Sequence, residues 1–276
     1  MFKITHFAVP GLLAIAGVGI AVGQGGRSEV ACDDGWRDGN RSRIHVCELR
    51  EFTLTPDESL QVNARPNGSV SVTGWDRNEI QIQAQVRSWG RNEDEVRARL
   101  DEIAIDTDGV LHAYGPSVRN SWWPFGRNRG GWNVSFEIMA PYATDLWLES
   151  VNGRIEVADM RGQLDAETTN GGISLSNVSA SVRGRTVNGG ISAVFADEGF
   201  DGDMLDVRTT NGGIVVRIPE NFSARLDVET VNGGVRSDFP VTREGRRNRE
   251  VSATWGEGGP LIRARTVNGG VQIRRL

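Results

Sequence analysis

One short phrase recurs six times along the chain and restricts the folds open to it. It reads Ser150-Val151-Asn152-Gly153-Arg154-Ile155, Thr168-Thr169-Asn170-Gly171-Gly172-Ile173 and Thr186-Val187-Asn188-Gly189-Gly190-Ile191. It returns as Thr209-Thr210-Asn211-Gly212-Gly213-Ile214, Thr230-Val231-Asn232-Gly233-Gly234-Val235 and Thr266-Val267-Asn268-Gly269-Gly270-Val271. The asparagines step by 18, 18, 23, 21 and 36 residues. A recurrence of about 20 residues marks a stacked array whose units bury their apolar faces against one another.

Both flanks of the phrase alternate with period two. Pairs such as Leu164/Ala166, Val182/Gly184 and Leu205/Val207 precede it, and Ile173/Leu175, Ile191/Ala193 and Ile214/Val216 follow it. Polar residues such as Asp165/Glu167, Arg183/Arg185 and Asp227/Glu229 fill the alternate positions. That is the pattern of strands with one buried face. Asn-Gly between two strands is also the mark of a tight hairpin. A meander of hairpins would leave a large apolar face in need of a second layer, and the repeats contain no amphipathic helix to supply it. A coil covers its own core.

The sequence therefore predicts an all-β, single-chain β-solenoid of Asn-Gly repeats over residues 143–276. In this reading Thr and Asn both point inward, the phase slips at the glycines, and Asn152, Asn170, Asn188, Asn211, Asn232 and Asn268 form a buried amide ladder at one corner. The row Glu149, Glu167, Arg185, Arg208, Glu229 and Arg265 lies just before the repeated Thr or Ser. It is read either as a charged ligand strip or as a solvated row in which Glu167–Arg185 and Arg208–Glu229 neighbours attract.

Residues 1–23 begin with Lys3, run apolar from Phe7 to Val22 and end in Ala21-Val22-Gly23. This reads as a secretory signal peptide cleaved before Gln24. The apolar run is short for a membrane span, so no transmembrane segment is expected after cleavage. Cys32 and Cys47 are the only cysteines. In an exported chain they are expected to join within a disulfide-linked segment, 24–50, a loop worth about 3 kcal/mol. The net charge of −5, with signs mixed, gives no indication of nucleic acid.

Residues 51–142 read as a small β-rich part carrying one helix, Glu93 to Glu102, capped by Asn92, with Val96, Leu100 and Ile103 as its apolar stripe. Asp108-Gly109 marks a hairpin, and Arg65-Pro66-Asn67-Gly68 resembles a degenerate first copy of the repeat. Trp122, Trp123, Phe125 and Trp132 crowd a Gly- and Arg-rich stretch. They form either a ligand-binding loop suited to sugar rings or a membrane interface, or a loop packed over the end of the array. Asp197, Asp201 and Asp203 offer a weak Ca²⁺ candidate in a surface insertion. No other metal site and no cofactor is expected.

The combination of Cys47-Glu48-Leu49-Arg50-Glu51, Asn67-Gly68-Ser69-Val70-Ser71-Val72-Thr73-Gly74-Trp75-Asp76-Arg77 and the Thr-Val-Asn-Gly-Gly series resembles the bacterial "putative adhesin" family of β-strand-repeat domains of unknown function. The resemblance spans roughly residues 45–276. It implies an exported or envelope-associated β-repeat protein in the periplasm, at the cell surface or secreted, and it supplies no catalytic residue. The expectation is a non-catalytic adhesin-like binding or structural module, its partner an envelope polysaccharide or another envelope protein. The alternatives are a carbohydrate-active enzyme on the same scaffold, which needs paired outward carboxylates, and an envelope-stress sensor.

Overall fold

The computed structural model describes residues 27–30, 43–117, 130–179, 181–195, 202–244 and 249–276. Strands dominate it, organised as two sheets of eleven strands each. Each repeat contributes one strand to each sheet and turns the corner between them at Asn-Gly. The Asn170 rung is Leu164–Asn170 on sheet B and Ile173–Val178 on sheet A; the Asn188 rung is Val182–Asn188 and Ile191–Phe195. Successive rungs pair in parallel and in register, Leu164 on Val182, Thr168 on Thr186, Ile173 on Ile191. This is a β-solenoid, not a hairpin meander.

The alternating apolar residues face inward as the pattern demands. Leu146, Leu148, Leu164, Ala166, Leu205 and Val207 on sheet B, and Ile155, Val157, Ile173, Leu175, Ile214 and Val216 on sheet A, are all at most 3% exposed. They belong to a single core cluster that continues into the N-terminal strands.

Among the described residues eight rungs stack, and their order along the axis is not their order in sequence. The rung built from Val110–Tyr114 and Gly131–Pro141 lies outside that of Ser59–Asn63 and Val70–Trp75, which contacts the Asn152 rung. At the other end Leu261–Asn268 inserts between Met204–Asn211 and Ala224–Asn232, and Val271–Arg275 inserts between Ile214–Ile218 and Val235–Ser237. The last repeat in sequence is thus an interior rung. One end is closed by antiparallel strands on both sheets, Ile80–Gly90 and Ile44–Leu54 on sheet A and Ala104–Asp106 on sheet B; at the other, Glu250–Trp255 and Thr242–Glu244 close sheet B, and the short strand Val235–Ser237 is the edge of sheet A among the described residues. Antiparallel closure of this kind interrupts the parallel edges on which a further copy would pair.

The helix spans Glu93–Glu102, with the Asn92 side chain accepting from the Glu95 N–H. Val96, Leu100 and Ile103 are buried as their spacing requires. Its C-terminal carbonyls are held from below: Arg50 donates to the Leu100 and Ile103 oxygens at 3.1 and 2.5 Å and to Glu48 at 2.8 Å.

Candidate ligand-binding face

The corner that carries the repeated phrase departs from the sequence reading in one respect. The hydroxyls of Thr168, Thr186, Thr209, Thr230 and Thr266 are inward, with each residue at most 6% exposed. Each donates to the carbonyl of the first glycine on the neighbouring rung, as in Thr186 Oγ1 to Gly171 O at 2.8 Å and Thr209 Oγ1 to Gly189 O at 2.8 Å. Ser150 does the same to Gly68. The asparagines, by contrast, are exposed. From Asn170 onward each asparagine is the last residue of its strand, at the corner itself, where two-residue alternation no longer decides which way a side chain faces.

The amide ladder nonetheless exists, on the solvent side. Asn152 donates to Asn67, Asn170 to Asn152, Asn188 to Asn170, Asn211 to Asn188 and Asn268 to Asn211, each at 2.8 Å, and Asn232 donates to Asn268 at 2.9 Å. The ladder thus reaches one rung beyond the six copies, and it follows the spatial order of rungs.

The first glycine of each phrase is fixed by proximity. A Cβ on Gly171, Gly189 or Gly269 would lie 1.9 Å from the carbonyl oxygen of the glycine on the next rung. The second glycine is looser: at Gly172 the nearest atom is 3.1 Å away and at Gly234 nothing lies within 4 Å. That explains why Arg154 and Ser69 occupy this position on two rungs.

The outer face of sheet B carries three parallel rows. One runs Trp147, Asp165, Arg183, Asp206, Arg263, Asp227; the next runs Glu149, Glu167, Arg185, Arg208, Arg265, Glu229. The third, past the inward threonines, is Val151, Thr169, Val187, Thr210, Val267, Val231. The insertion of the last rung places Arg265 between Arg208 and Glu229, so the expected Arg208–Glu229 neighbours are not adjacent. Glu167 does meet Arg185, at 2.7 Å. Between the second and third rows runs a groove of about 560 Å³, lined by Glu167, Arg185, Arg208, Arg265, Val187 and Val267 among others.

The outward acids Asp165, Glu167, Asp206, Asp227 and Glu229, the carboxylates a catalytic pair on this face would have to draw on, each have an arginine partner. Asp165 meets Arg183 at 3.4 Å, and Asp206 receives Arg208 through two bonds of 3.0 and 2.8 Å. Asp227 meets Arg263 at 3.0 Å and Arg265 at 3.3 Å, and Glu229 meets Arg265 at 3.5 Å. The bond and charge of Asp206 raise the Arg208 guanidinium above its ordinary pKa, against a smaller desolvation effect.

The remaining sequence candidates are scattered. Trp132 lies on Gly131–Pro141, its indole N–H donating to Pro116 O at 3.0 Å and its ring packed on the core. Trp122, Trp123 and Phe125 lie outside the described residues, as do Asp197 and Asp201; Asp203 is exposed at the start of the Asn211 rung. Cys47 is 1% exposed and is not a free thiol, while Cys32 and the signal-peptide segment lie outside the described residues. Among the described residues no group of His, Cys, Asp and Glu could hold a metal ion, and no helix is long and apolar enough to cross a membrane. Trp147, 40% exposed on the face just described, was missed. The available signal was a tryptophan at an outward position of a strand, between the inward Leu146 and Leu148.

A family model described as Toastrack DUF4097 matches residues 59–274. The chain belongs to this family. The matched span opens at the first strand of the Asn67 rung, so the Toastrack unit includes strands before the six clear copies. No curated protein matches this Toastrack chain in sequence. Solved structures similar to it include a "putative cell adhesion protein" from Clostridium sporogenes, 11% identical, covering 83% of this chain and 100% of that chain at a TM-score of 0.41. A "putative adhesin" from Bacteroides fragilis is 11% identical over 83% of this chain and 97% of that chain, TM-score 0.35. A "putative lipid binding protein" from Parabacteroides distasonis is 9% identical over 82% and 96%, TM-score 0.27.

Proposed function

We propose that this Toastrack chain is an exported, non-catalytic binding module of the bacterial envelope, its repeats a rigid scaffold and its outer faces the recognising surface. The observation that carries this reading is the pairing of Asp165, Glu167, Asp206, Asp227 and Glu229 with arginines. Glycoside hydrolysis needs one carboxyl that donates a proton and a second that acts as base or nucleophile. Carboxylates whose oxygens face guanidinium groups are already occupied as partners and are not paired with one another across the face. The same pairs suit a surface that must stay soluble and fixed in shape.

The reading includes cleavage before Gln24 and a Cys32–Cys47 disulfide, with Trp122, Trp123 and Phe125 as a second contact region. The test is secretion of the full chain from a bacterial host, followed by binding to cell-wall and glycan preparations beside an assay for newly released reducing ends. Binding without release is expected, with a mature mass starting at Gln24 and two hydrogens fewer than the dithiol. Release of reducing ends would overturn the non-catalytic reading. An uncleaved chain retained in the cytoplasm would overturn the exported one. The Trp122→Ala/Trp123→Ala variant is expected to bind cell-wall material more weakly.

A further inference from the structure

We propose that the groove on the outer face of sheet B binds a short acidic glycan, which lies along the coil axis across the Asn188, Asn211 and Asn268 rungs. The proposal rests on the binding-module reading and names its site and ligand class.

Rung order creates the charge. Over those three rungs the first two rows hold Arg183, Arg185, Arg208, Arg263 and Arg265 against the single carboxylate of Asp206. The flanking rungs are acidic, Asp165 and Glu167 on one side and Asp227 and Glu229 on the other. A band of positive charge therefore sits between two acidic borders, and the borders limit how far an anionic ligand extends. Arg185, Arg208 and Arg265 stand in register on consecutive rungs, so the outer two are about 10 Å apart at the ordinary strand spacing. In-register like charges repel one another, and an anion that bridges them removes that repulsion.

These guanidinium groups retain binding capacity. Each carries five N–H donors. Arg185 uses one on Glu167, Arg208 two on Asp206 and Arg265 one on Asp227, with the Arg265 Nε buried and facing Glu229 at 3.5 Å, which leaves its remaining terminal N–H groups for a ligand. Their side chains are 45%, 42% and 37% exposed, and guanidinium is the side chain best shaped for a carboxylate or sulfate.

The opposite wall selects among anions. Val187, Val267 and Val231 are 43%, 40% and 46% exposed, with Thr210 between the first two. They offer an apolar strip to the C–H face of a sugar ring. An acidic peptide fits less well. Extended peptides gain affinity by pairing their main chain with a sheet edge, and here each strand under the groove is already paired on both sides.

The experiment is calorimetric titration of the full secreted chain with oligogalacturonate, a neutral malto-oligosaccharide of equal length and an oligoglutamate peptide. Oligogalacturonate is expected to bind, with affinity falling as NaCl rises. Arg185→Gln/Arg265→Gln should weaken it tenfold or more, while Trp147→Ala, two rungs from Arg183 and beyond the acidic border, and Arg217→Gln, exposed on sheet A, should leave it unchanged. Arg185→Gln alone, whose partner Glu167 is itself half-exposed, is the arm least exposed to a folding defect and should still cost about threefold. Unchanged affinity in both arginine variants, or equal binding of the neutral sugar, overturns the groove proposal and leaves the binding-module reading standing. Equal, arginine-dependent binding of oligoglutamate overturns the glycan assignment. Absence of binding to every glycan and cell-wall preparation overturns the proposal and the binding-module reading together.

Discussion

Replacing Gly189 by alanine tests the corner most directly. The added Cβ would lie 1.9 Å from Gly171 O and 2.5 Å from Gly171 C. Backbone atoms cannot give way as a flexible side chain does, so the two rungs must part by about 1 Å before the contact becomes tolerable. That shift stretches the Thr186–Gly171 and Asn188–Asn170 bonds, both 2.8 Å, to nearly 3.8 Å, beyond hydrogen-bonding range. Two net hydrogen bonds at about 1 kcal/mol each, with overpacking strain of about 1–3 kcal/mol, give a loss of roughly 3–5 kcal/mol. For a domain of this size that corresponds to a fall in Tm of roughly 6–20 °C. Gly234→Ala is the control, because nothing lies within 4 Å of its Cβ position; it should be neutral or raise stability by about 0.4–1 kcal/mol through the unfolded chain. Thermal and urea unfolding followed by circular dichroism measures both. A Gly189→Ala loss below about 1 kcal/mol, or equal losses in the two variants, would refute the argument that rung proximity dictates the first glycine.

Thr186→Val keeps shape but strips Gly171 O of its side-chain donor and should cost about 1–3 kcal/mol in urea unfolding; Thr186→Ser should cost less, since Ser150 makes the same bond to Gly68. Asn188→Leu breaks one amide bond on each side and should cost about 1–2 kcal/mol, with a larger loss in the same assay pointing to a buried role for the amide. Asp206→Asn weakens two charge-assisted bonds to a 42% exposed arginine and should lower stability by about 0.5–1 kcal/mol, read as a shift of the urea midpoint. Arg50→Met leaves buried Glu48 without its guanidinium and removes both bonds to the helix end, for a loss of about 3–5 kcal/mol with early hydrogen exchange in Glu93–Glu102.

The elements of the array were legible because each rung states its own geometry. Period-two alternation places Leu164, Ala166, Ile173 and Leu175 inward without reference to any other rung, and Asn92 with the Val96/Leu100 spacing marks the helix locally. The amide ladder was legible in kind, because an amide repeated at one corner can bond its copies. Its exposure was not, since alternation stops where the strand ends at Asn170. The charged row was visible too, but its neighbours were assigned in sequence order, which fails once Arg265 stands between Arg208 and Glu229. Trp147 drew no notice because the same alternation treats every outward position alike.

Rung order itself lies beyond local reading, since any Thr-x-Asn-Gly rung can stack on any other in the same register. What selects the order here is edge closure. The 36-residue step from Asn232 to Asn268 includes Glu250–Trp255, which returns antiparallel along the outer edge of Ala224–Asn232, Val228 opposite Val251. With that edge taken, the last rung can pair with the Asn232 rung only on its inner side, against the Asn211 rung. The charges agree in one row and disagree in the next. Sequence order would set Asp206 directly beside Asp227, whereas the observed order puts Arg263 between them, 4.0 Å from one and 3.0 Å from the other. In the adjoining row sequence order would have alternated Arg208, Glu229 and Arg265, and the observed order instead sets Arg208 beside Arg265. Ion pairs on a half-exposed face contribute at most about 1 kcal/mol each, while a strand pairing commits a full ladder of backbone bonds. Backbone closure therefore outweighs the repulsion and leaves the arginine band as its consequence. A charge pattern that the scaffold does not need for its own stability is where a ligand has the most to gain.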